Sequence, residues 1–404
     1  MALPKFRSET HPFTDQWIGF VIGSLLMFVI IAGSISPRTF AFTPWLVGVA
    51  IIALGLWRQN RPSADRAFLI AAAAVMAFPA FAFASSIWAT YPAEAIGKSA
   101  SALAVAAMAL ISIAFLAIDT RANRLRIAEG IWLGALVSAL YLAFEVWSGQ
   151  AFRIAAINLL GLQPEDFATP KWFTWQNGRV VAADFGDLTR TVALLPLVIG
   201  PAILAAWHAL AAPWRSIASV LLIAATALAV YAAGSESAKI ALAIFLATGA
   251  LAIASTVWTL RLLVVGWLAA CLLMIPLVIG LHQLAPHRNA AIGEALRDSS
   301  PEQRLTMWRD YATWSLERPL LGHGANHTYV WNRQINEAAP SASGPPWKKR
   351  SDQTWPHTHN MYLQAWYDLG AVGAVLFVGL GLAILWAIGR MPRQAQVAQL
   401  ATFA

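Results

Sequence analysis

A histidine that opens an apolar helix has the makings of a general base. His359 holds that place in His357-Thr358-His359-Asn360-Met361-Tyr362-Leu363. Unperturbed imidazole titrates near about pH 6.5, so it can accept a proton close to neutrality. Upstream, Arg304, Trp308 and Tyr311 fall at i, i+4 and i+7, which puts them on one face of a helix. An arginine flanked by two aromatic rings suits an anionic, sugar-bearing ligand. An amphipathic helix that rests its tryptophan on a membrane has the same pattern. Between these two groups lies Pro319-Leu320-Leu321-Gly322-His323-Gly324. Gly322 and Gly324 permit a tight backbone and close approach of a ligand. This Gly-x-Gly does not follow a strand, so it is not a dinucleotide fingerprint.

Two further cations stand at the ends of apolar runs. Lys239, in Ser235-Glu236-Ser237-Ala238-Lys239, is about one turn into such a run. It either pairs locally with Glu236 or holds an anion, because burying it alone is costly. Arg190 enters another run just after Asp184 and Asp187, where it pairs with one of them or faces a ligand. His323, His327, His357 and His359 raise the question of a metal. Their spacing matches no ligand motif and no carboxylate cluster accompanies them, so no metal is expected. The single cysteine, Cys271, allows no intrachain disulfide.

The elements that must position these groups are apolar. Of the 404 residues 58% are hydrophobic and only 12% charged, against roughly 45–50% and 25% in soluble domains. That excludes an ordinary soluble enzyme, a disordered chain and a nucleic-acid module. Apolar stretches of membrane-spanning length recur near 17–35, 40–57, 67–88, 98–118, 127–147, 189–210, 217–233, 237–257, 262–281 and 362–389. The expected fold is an all-α polytopic membrane protein of about 10–12 transmembrane helices with a large, partly helical loop, which the resemblance given below would make periplasmic. The chain divides serially into residues 1–281, a long loop 282–361, and residues 362–404 with the last visible span. Another long loop covers 148–188, where Trp147, Trp172, Phe173 and Trp175 look like an interfacial cap and Asn177-Gly178 signals a turn. In the longer loop, Ser300-Pro301-Glu302-Gln303 reads as the start of a helix that runs to about Arg318. Residues 338–356, with Lys348-Lys349-Arg350, read as a flap. After Arg393 the chain resembles the first turns of a further span.

With the N-terminus in the cytoplasm, every short inside connection carries a cation, as the positive-inside rule requires. These are Lys5 and Arg7; Arg58, Arg61 and Arg66; Arg121, Arg124 and Arg126; Arg215; Arg261; Arg390 and Arg393. Both long loops then lie outside. More than half of the 28 cations also lie outside, available to an anionic ligand.

Three ordered segments resemble the bacterial O-antigen ligases and O-antigen polymerases. They are Ser235-Glu236-Ser237-Ala238-Lys239, then Arg304-x-x-x-Trp308 with Pro319-Leu320-Leu321-Gly322-His323-Gly324, then His359-Asn360-x-Tyr362-Leu363 with Leu369-Gly370-x-x-Gly373. The resemblance covers roughly residues 230–390. It implies an inner-membrane, multi-pass glycosyltransferase with its active site at the periplasmic face. The donor would be a glycan on undecaprenyl pyrophosphate and the acceptor a lipid A-core sugar hydroxyl, with membrane lipid around the site and no nucleic acid, cofactor or metal. It implies His359 as base and Arg304 as the other catalytic residue. Lys239, Arg190, Trp308, Tyr311, Gly322, Gly324 and Asn360 would bind substrate. Lys239 stands where the family usually has arginine; it keeps the charge but loses the bidentate grip on phosphate. A polymerase shares this chemistry and donor. A transporter of an anionic lipid-linked solute calls for ionisable residues near the bilayer midplane, and here they cluster at the ends of spans.

Overall fold

The computed structural model describes residues 12–36, 42–58, 66–117, 119–166, 173–183, 186–284, 300–328 and 358–404. Lys5, Arg7, Arg38, Arg61, Trp172, Asp184, His357 and the 338–356 flap lie outside them. In chain order the helices are α1 (Pro12–Ile35), α2 (Thr43–Trp57), α3 (Arg66–Ala84), α4 (Pro92–Ala117), α5 (Arg121–Trp147), α6 (Ala151–Leu159), α7 (Gly186–Val192), α8 (Leu195–Ala209), α9 (Trp214–Ala232), α10 (Glu236–Ala254), α11 (Thr256–Leu272), α12 (Met274–Leu284), α13 (Ser300–Ser315), α14 (Met361–Gly389) and α15 (Arg393–Phe403). One short antiparallel hairpin, β1 (Phe173–Gln176) and β2 (Arg179–Ala183), interrupts them. The all-α polytopic expectation is met.

The number of full-length spans is smaller than the number of apolar runs. Among the described residues seven helices are long and apolar enough to cross a membrane, or eight if one bent pair is a single span. The other runs are short or broken. At about 1.5 Å per residue, the 15-residue α2 and α8 fall short of a hydrocarbon layer of about 30 Å. The run expected over 189–210 breaks at Ala193-Leu194, and α8 restarts with Pro196 in its first turn. Helices α11 and α12 meet at a 70° bend. Pro276 explains it, since its ring lacks an N–H and clashes with the carbonyl of Leu272.

The chain forms two compact units that interleave along the sequence and cut across the serial division at 281 and 361. The first contains residues 1–63, 111–260 and 388–404; the second contains 64–110 and 261–387.

In the first unit α1 lies along α5. Gly19 and Gly23 on one helix face Asn123, Gly130 and neighbouring backbone on the other. Both helices carry a Gly-x-x-x-Gly step (Gly19/Gly23 and Gly130/Gly134), which lets backbones meet where lipid gives no hydrophobic drive to association. Polar pairing fixes the end of this contact. Asn123 accepts the Gly19 N–H at 3.0 Å and donates to Asp119 at 2.8 Å, and Arg58 bonds the same carboxylate at 2.9 Å. Behind α5 pack α8, α9 and α10, with Leu142, Val192, Ile199, Leu222 and Ala229 buried between them.

The hairpin is pinned to α6. The Asn158 carboxamide both accepts the Val180 N–H (2.8 Å) and donates to the Val180 carbonyl (2.9 Å). Buried Glu145 accepts the Phe152 and Arg153 amides that open α6. The Asn177-Gly178 signal is the hairpin turn, both residues having positive φ.

Gly130→Ala should destabilise the first unit by about 1–3 kcal/mol, because an added methyl overlaps the Gly23 carbonyl. The check is thermal unfolding of the purified protein in detergent. A melting temperature equal to wild type would show that the α1–α5 approach is not tight.

Candidate functional site

The second unit brings together most residues that the sequence singles out. Its core is Met274, Ile275, Val278, Met307, Tyr311, Ala312, Leu363 and Tyr367, contributed by α12, α13 and α14. The aromatic rings of Tyr311, Trp314 and Tyr367 pack edge-on, with centroids 5.0–5.1 Å apart. Tyr311 is 0% exposed, so its ring is a core element and not a face offered to a ligand. Helix α13 ends at Ser315 instead of reaching Arg318, and the chain turns into the Pro319–Gly324 segment.

Helix α14 is broken at Gly370, whose φ of 64° and ψ of −162° interrupt the helical path. In an unbroken helix the amides of Ala371 and Val372 would bond the carbonyls of Tyr367 and Asp368. Here the Ala371 N–H donates to the Pro319 carbonyl (2.8 Å) and the Val372 N–H to that of Leu320 (3.2 Å). The freed carbonyls of Tyr367 and Asp368 accept the amides of His323 (3.1 Å) and Gly324 (2.8 Å). The Gly322–Gly324 segment is thus spliced into the broken span. Gly322 (φ 67°) and Gly324 (φ 98°) are needed because a Cβ would overlap Asp368 and Ala89 respectively. This corrects the expectation of close approach to a ligand: the close partner is the protein's own backbone. The α3–α4 connection holds the loop from another side. Trp88 donates to the Leu321 carbonyl at 3.1 Å, and Ser85 accepts the Ala325 N–H at 3.0 Å.

Around the splice sits a buried polar cluster. His323 stacks on Tyr367 (4.6 Å) and lies 5.0 Å from His327, whose Nδ1 shares a 2.9 Å hydrogen bond with the Tyr367 hydroxyl. Nε2 of His323 donates to the Trp314 carbonyl at 3.2 Å, which fixes its neutral tautomer. Burial pushes the His327 imidazole down to about 4, helped by neighbouring His323 and Arg318. Burial also lowers His323, partly opposed by its bond to the Trp314 carbonyl. Both are therefore neutral at neutral pH.

One residue from each side reaches the turn that carries His359. Trp308 Nε1 donates to the Thr358 carbonyl at 2.7 Å, tying the helix of Arg304 to the residue before His359. From α14, Gln364 accepts the Thr358 N–H (3.3 Å) and donates to both Thr328 (3.1 Å) and Asp368 (2.8 Å). Thr358 is thereby held through both backbone groups and is 1% exposed. His359 follows in an exposed position with φ 51°. It stands two residues ahead of the apolar helix, which begins at Met361. A left-handed backbone costs a non-glycine residue roughly 1–2 kcal/mol, and such strain gathers at functional positions. Asn360 caps α14, accepting the amides of Tyr362 and Leu363 (3.1 Å each), while its amide nitrogen contacts the Met274 sulfur. Its carboxamide is thus committed to structure, which corrects its expected role in binding substrate. Arg304 is half-exposed on the same helix face as Trp308 and has no ion-pair partner among the described residues.

Lys239 and Arg190 belong to the first unit. Lys239 forms the local ion pair with Glu236 at 2.9 Å and lies over the Tyr231 ring. Ser235 caps the same helix by accepting the Ala238 N–H. Arg190 lies on α7, and its side chain is not among those described. Sequence reasoning missed Gln364 and Asp368. Their signal was available: polar and ionisable groups one turn apart inside an apolar span. No group of three or more His, Cys, Asp or Glu suited to a metal exists among the described residues.

This fold and site define a polytopic membrane protein in which α13 and the loop after it are seated on α14. Residues 218–378 match the family model Wzy_C, described as O-Antigen ligase. The resemblance to O-antigen ligases thus stands over that segment, with an O-antigen ligase/polymerase type of function. The matched segment includes Lys239, Arg304, Gly322 and His359 but not Arg190. No curated protein and no solved structure gave a significant match.

The pH dependence of stability follows from the two buried imidazoles. Both titrate near about 6.5 in the unfolded chain. Their contribution is complete above that pH and, for His327, is lost as pH falls through about 4. Thermal unfolding between pH 7 and pH 4 should show a steady loss of stability that is shallower in His327→Gln. Identical slopes for both proteins would remove His327 from the acid response. Gly322→Ala should cost at least about 1–2 kcal/mol from its positive φ alone, measured by the same melt.

Proposed function

We propose that the protein is an O-antigen ligase, transferring a glycan from undecaprenyl pyrophosphate to a sugar hydroxyl of the lipid A core at the periplasmic face. The observation that carries the reading is the Trp308–Thr358 hydrogen bond, which couples the helix bearing Arg304 to the strained turn bearing His359. In the proposed step His359 accepts the proton of the acceptor hydroxyl. The hydroxyl oxygen bonds to the donor sugar's anomeric carbon. The bond from that carbon to the pyrophosphate oxygen breaks, and the lipid pyrophosphate leaves with the electron pair. Attack opposite the leaving group inverts the sugar carbon. Arg304 stabilises the charge that builds on the departing phosphate. The N-terminus is cytoplasmic and the site periplasmic, in keeping with the Lys and Arg bias of the short connections. The chemistry calls on no metal, nucleotide or nucleic acid. A polymerase of the same donor differs only in acceptor.

His359→Ala should slow transfer by about 10²–10⁴-fold. The assay supplies undecaprenyl-pyrophosphate-linked glycan and lipid A core to purified protein in nanodiscs, with EDTA present. His359→Gly is the structural control: glycine tolerates the positive φ, so melting should be preserved while transfer is lost. Arg304→Ala should also impair transfer. Wild-type rates in either His359 variant would sink the base assignment. Longer chains on the lipid carrier with none on the core would identify a polymerase.

A further inference from the structure

The first unit contains a second feature, far along its helices from Lys239. A cavity of about 560 Å³ opens between α8, α9, α10 and α15. That lies in the range of about 300–1,000 Å³ typical of small-molecule sites. Its walls include Leu204, Trp207, Ile223, Phe245, Ile253 and Val397. On α10 the lining runs from Phe245 to Ile253 while Lys239 stands in the first turn, so the cavity belongs to the other half of that helix. This is the end that the charge bias of the connections assigns to the cytoplasm.

Two arginines are each fastened to a residue of the wall. The Arg215 guanidinium lies over the Trp207 ring at 4.6 Å. Trp207 is itself held, its Nε1 donating to Ser219 at 2.9 Å, while the Ser219 hydroxyl donates to the Arg215 carbonyl. Arg393 donates to the carbonyl of the wall residue Ile253 at 3.0 Å. Neither guanidinium has a carboxylate partner among the described residues. Stacking on an aromatic face leaves the N–H groups of Arg215 directed to other acceptors. An apolar slot with two cations tied to its wall residues is complementary to a molecule with a hydrocarbon chain and an anionic head.

We propose that this cavity binds one anionic phospholipid, its acyl chain between α8, α10 and α15 and its phosphate on Arg215 and Arg393. The inference does not depend on the transfer reaction.

The test is lipid retention by the purified full-length protein. Delipidated protein in detergent is titrated with phosphatidylglycerol or with phosphatidylcholine of the same acyl chains, and bound lipid is counted by native mass spectrometry. Phosphatidylglycerol should be retained preferentially, as a single tightly held copy. The double variant Arg215→Gln, Arg393→Gln should weaken that retention by roughly tenfold or more, at about 1 kcal/mol for each cation near an anionic head. Gly249→Phe tests the cavity with its charges intact. Gly249 lines the wall, and the nearest atom to an added Cβ is the Ala401 methyl at 3.6 Å, so the ring has room to enter. This variant should lose the tightly held lipid. Equal retention of both lipids by wild type, or retention unchanged in Gly249→Phe, overturns the proposal even if the double arginine variant fails to fold. A lipid-free dimer would assign the cavity to a second copy and overturn it as well.

Discussion

Everything in the second unit depends on an exchange of backbone hydrogen bonds at Gly370. A transmembrane helix normally satisfies its own amides and carbonyls, because lipid offers no alternative. Here α14 gives up two of its bonds and recovers four with the Pro319–Gly324 loop. Loop and span thereby become one structural element. The requirement explains three positive-φ glycines together: Gly322 and Gly324 bring the loop close, and Gly370 opens the helix to receive it. It also sets the position of what packs on it. With the loop fixed on α14, α13 packs Met307 and Tyr311 against Leu363 and Tyr367, and Trp308 meets Thr358 from a fixed direction.

The polar groups of this unit divide into two populations. His323, His327, Gln364 and Asp368 are turned inward and spend their hydrogen bonds on one another and on backbone. Asp368 keeps one oxygen, Oδ1, without a partner among the described residues. His359 and Arg304 face outward. The inward set fixes the geometry, and the outward pair is the one to which the proposed transfer assigns chemistry. Such a division is expected where a charged leaving group must be met by preorganised side chains.

Much of this was legible in the sequence. Composition and run length gave an all-α membrane protein, and the Asn177-Gly178 pair marked a turn that proved to join two strands. The i, i+4 spacing of Arg304 and Trp308 did place them on one face, and the local Lys239–Glu236 pair was one of two readings on offer. What escaped detection depends on partners distant in the chain. Gly-x-Gly reads alike whether a ligand or a helix carbonyl approaches it, and only the break at Gly370 decides between them. Tyr311 and Asn360 carry groups that suit ligands, yet one is enclosed by Tyr367 and the other is consumed by capping. The paired Gly-x-x-x-Gly steps of α1 and α5 were readable but went unused, because no nearby residue pointed from one to the other. Run length did not reveal where an apolar run breaks or bends, since Pro196 and Pro276 act on hydrogen bonds that hydropathy does not register.

The splice also imposes an order on biosynthesis. Residues 319–324 leave the ribosome well before residues 367–372, yet the loop's amides and carbonyls have their partners only in that later segment. Until the last visible span has emerged and bent at Gly370, the loop has no native conformation to adopt, and the turn bearing His359 has no anchor. The turn bearing His359 therefore cannot reach its native arrangement in a nascent chain that ends before Val372.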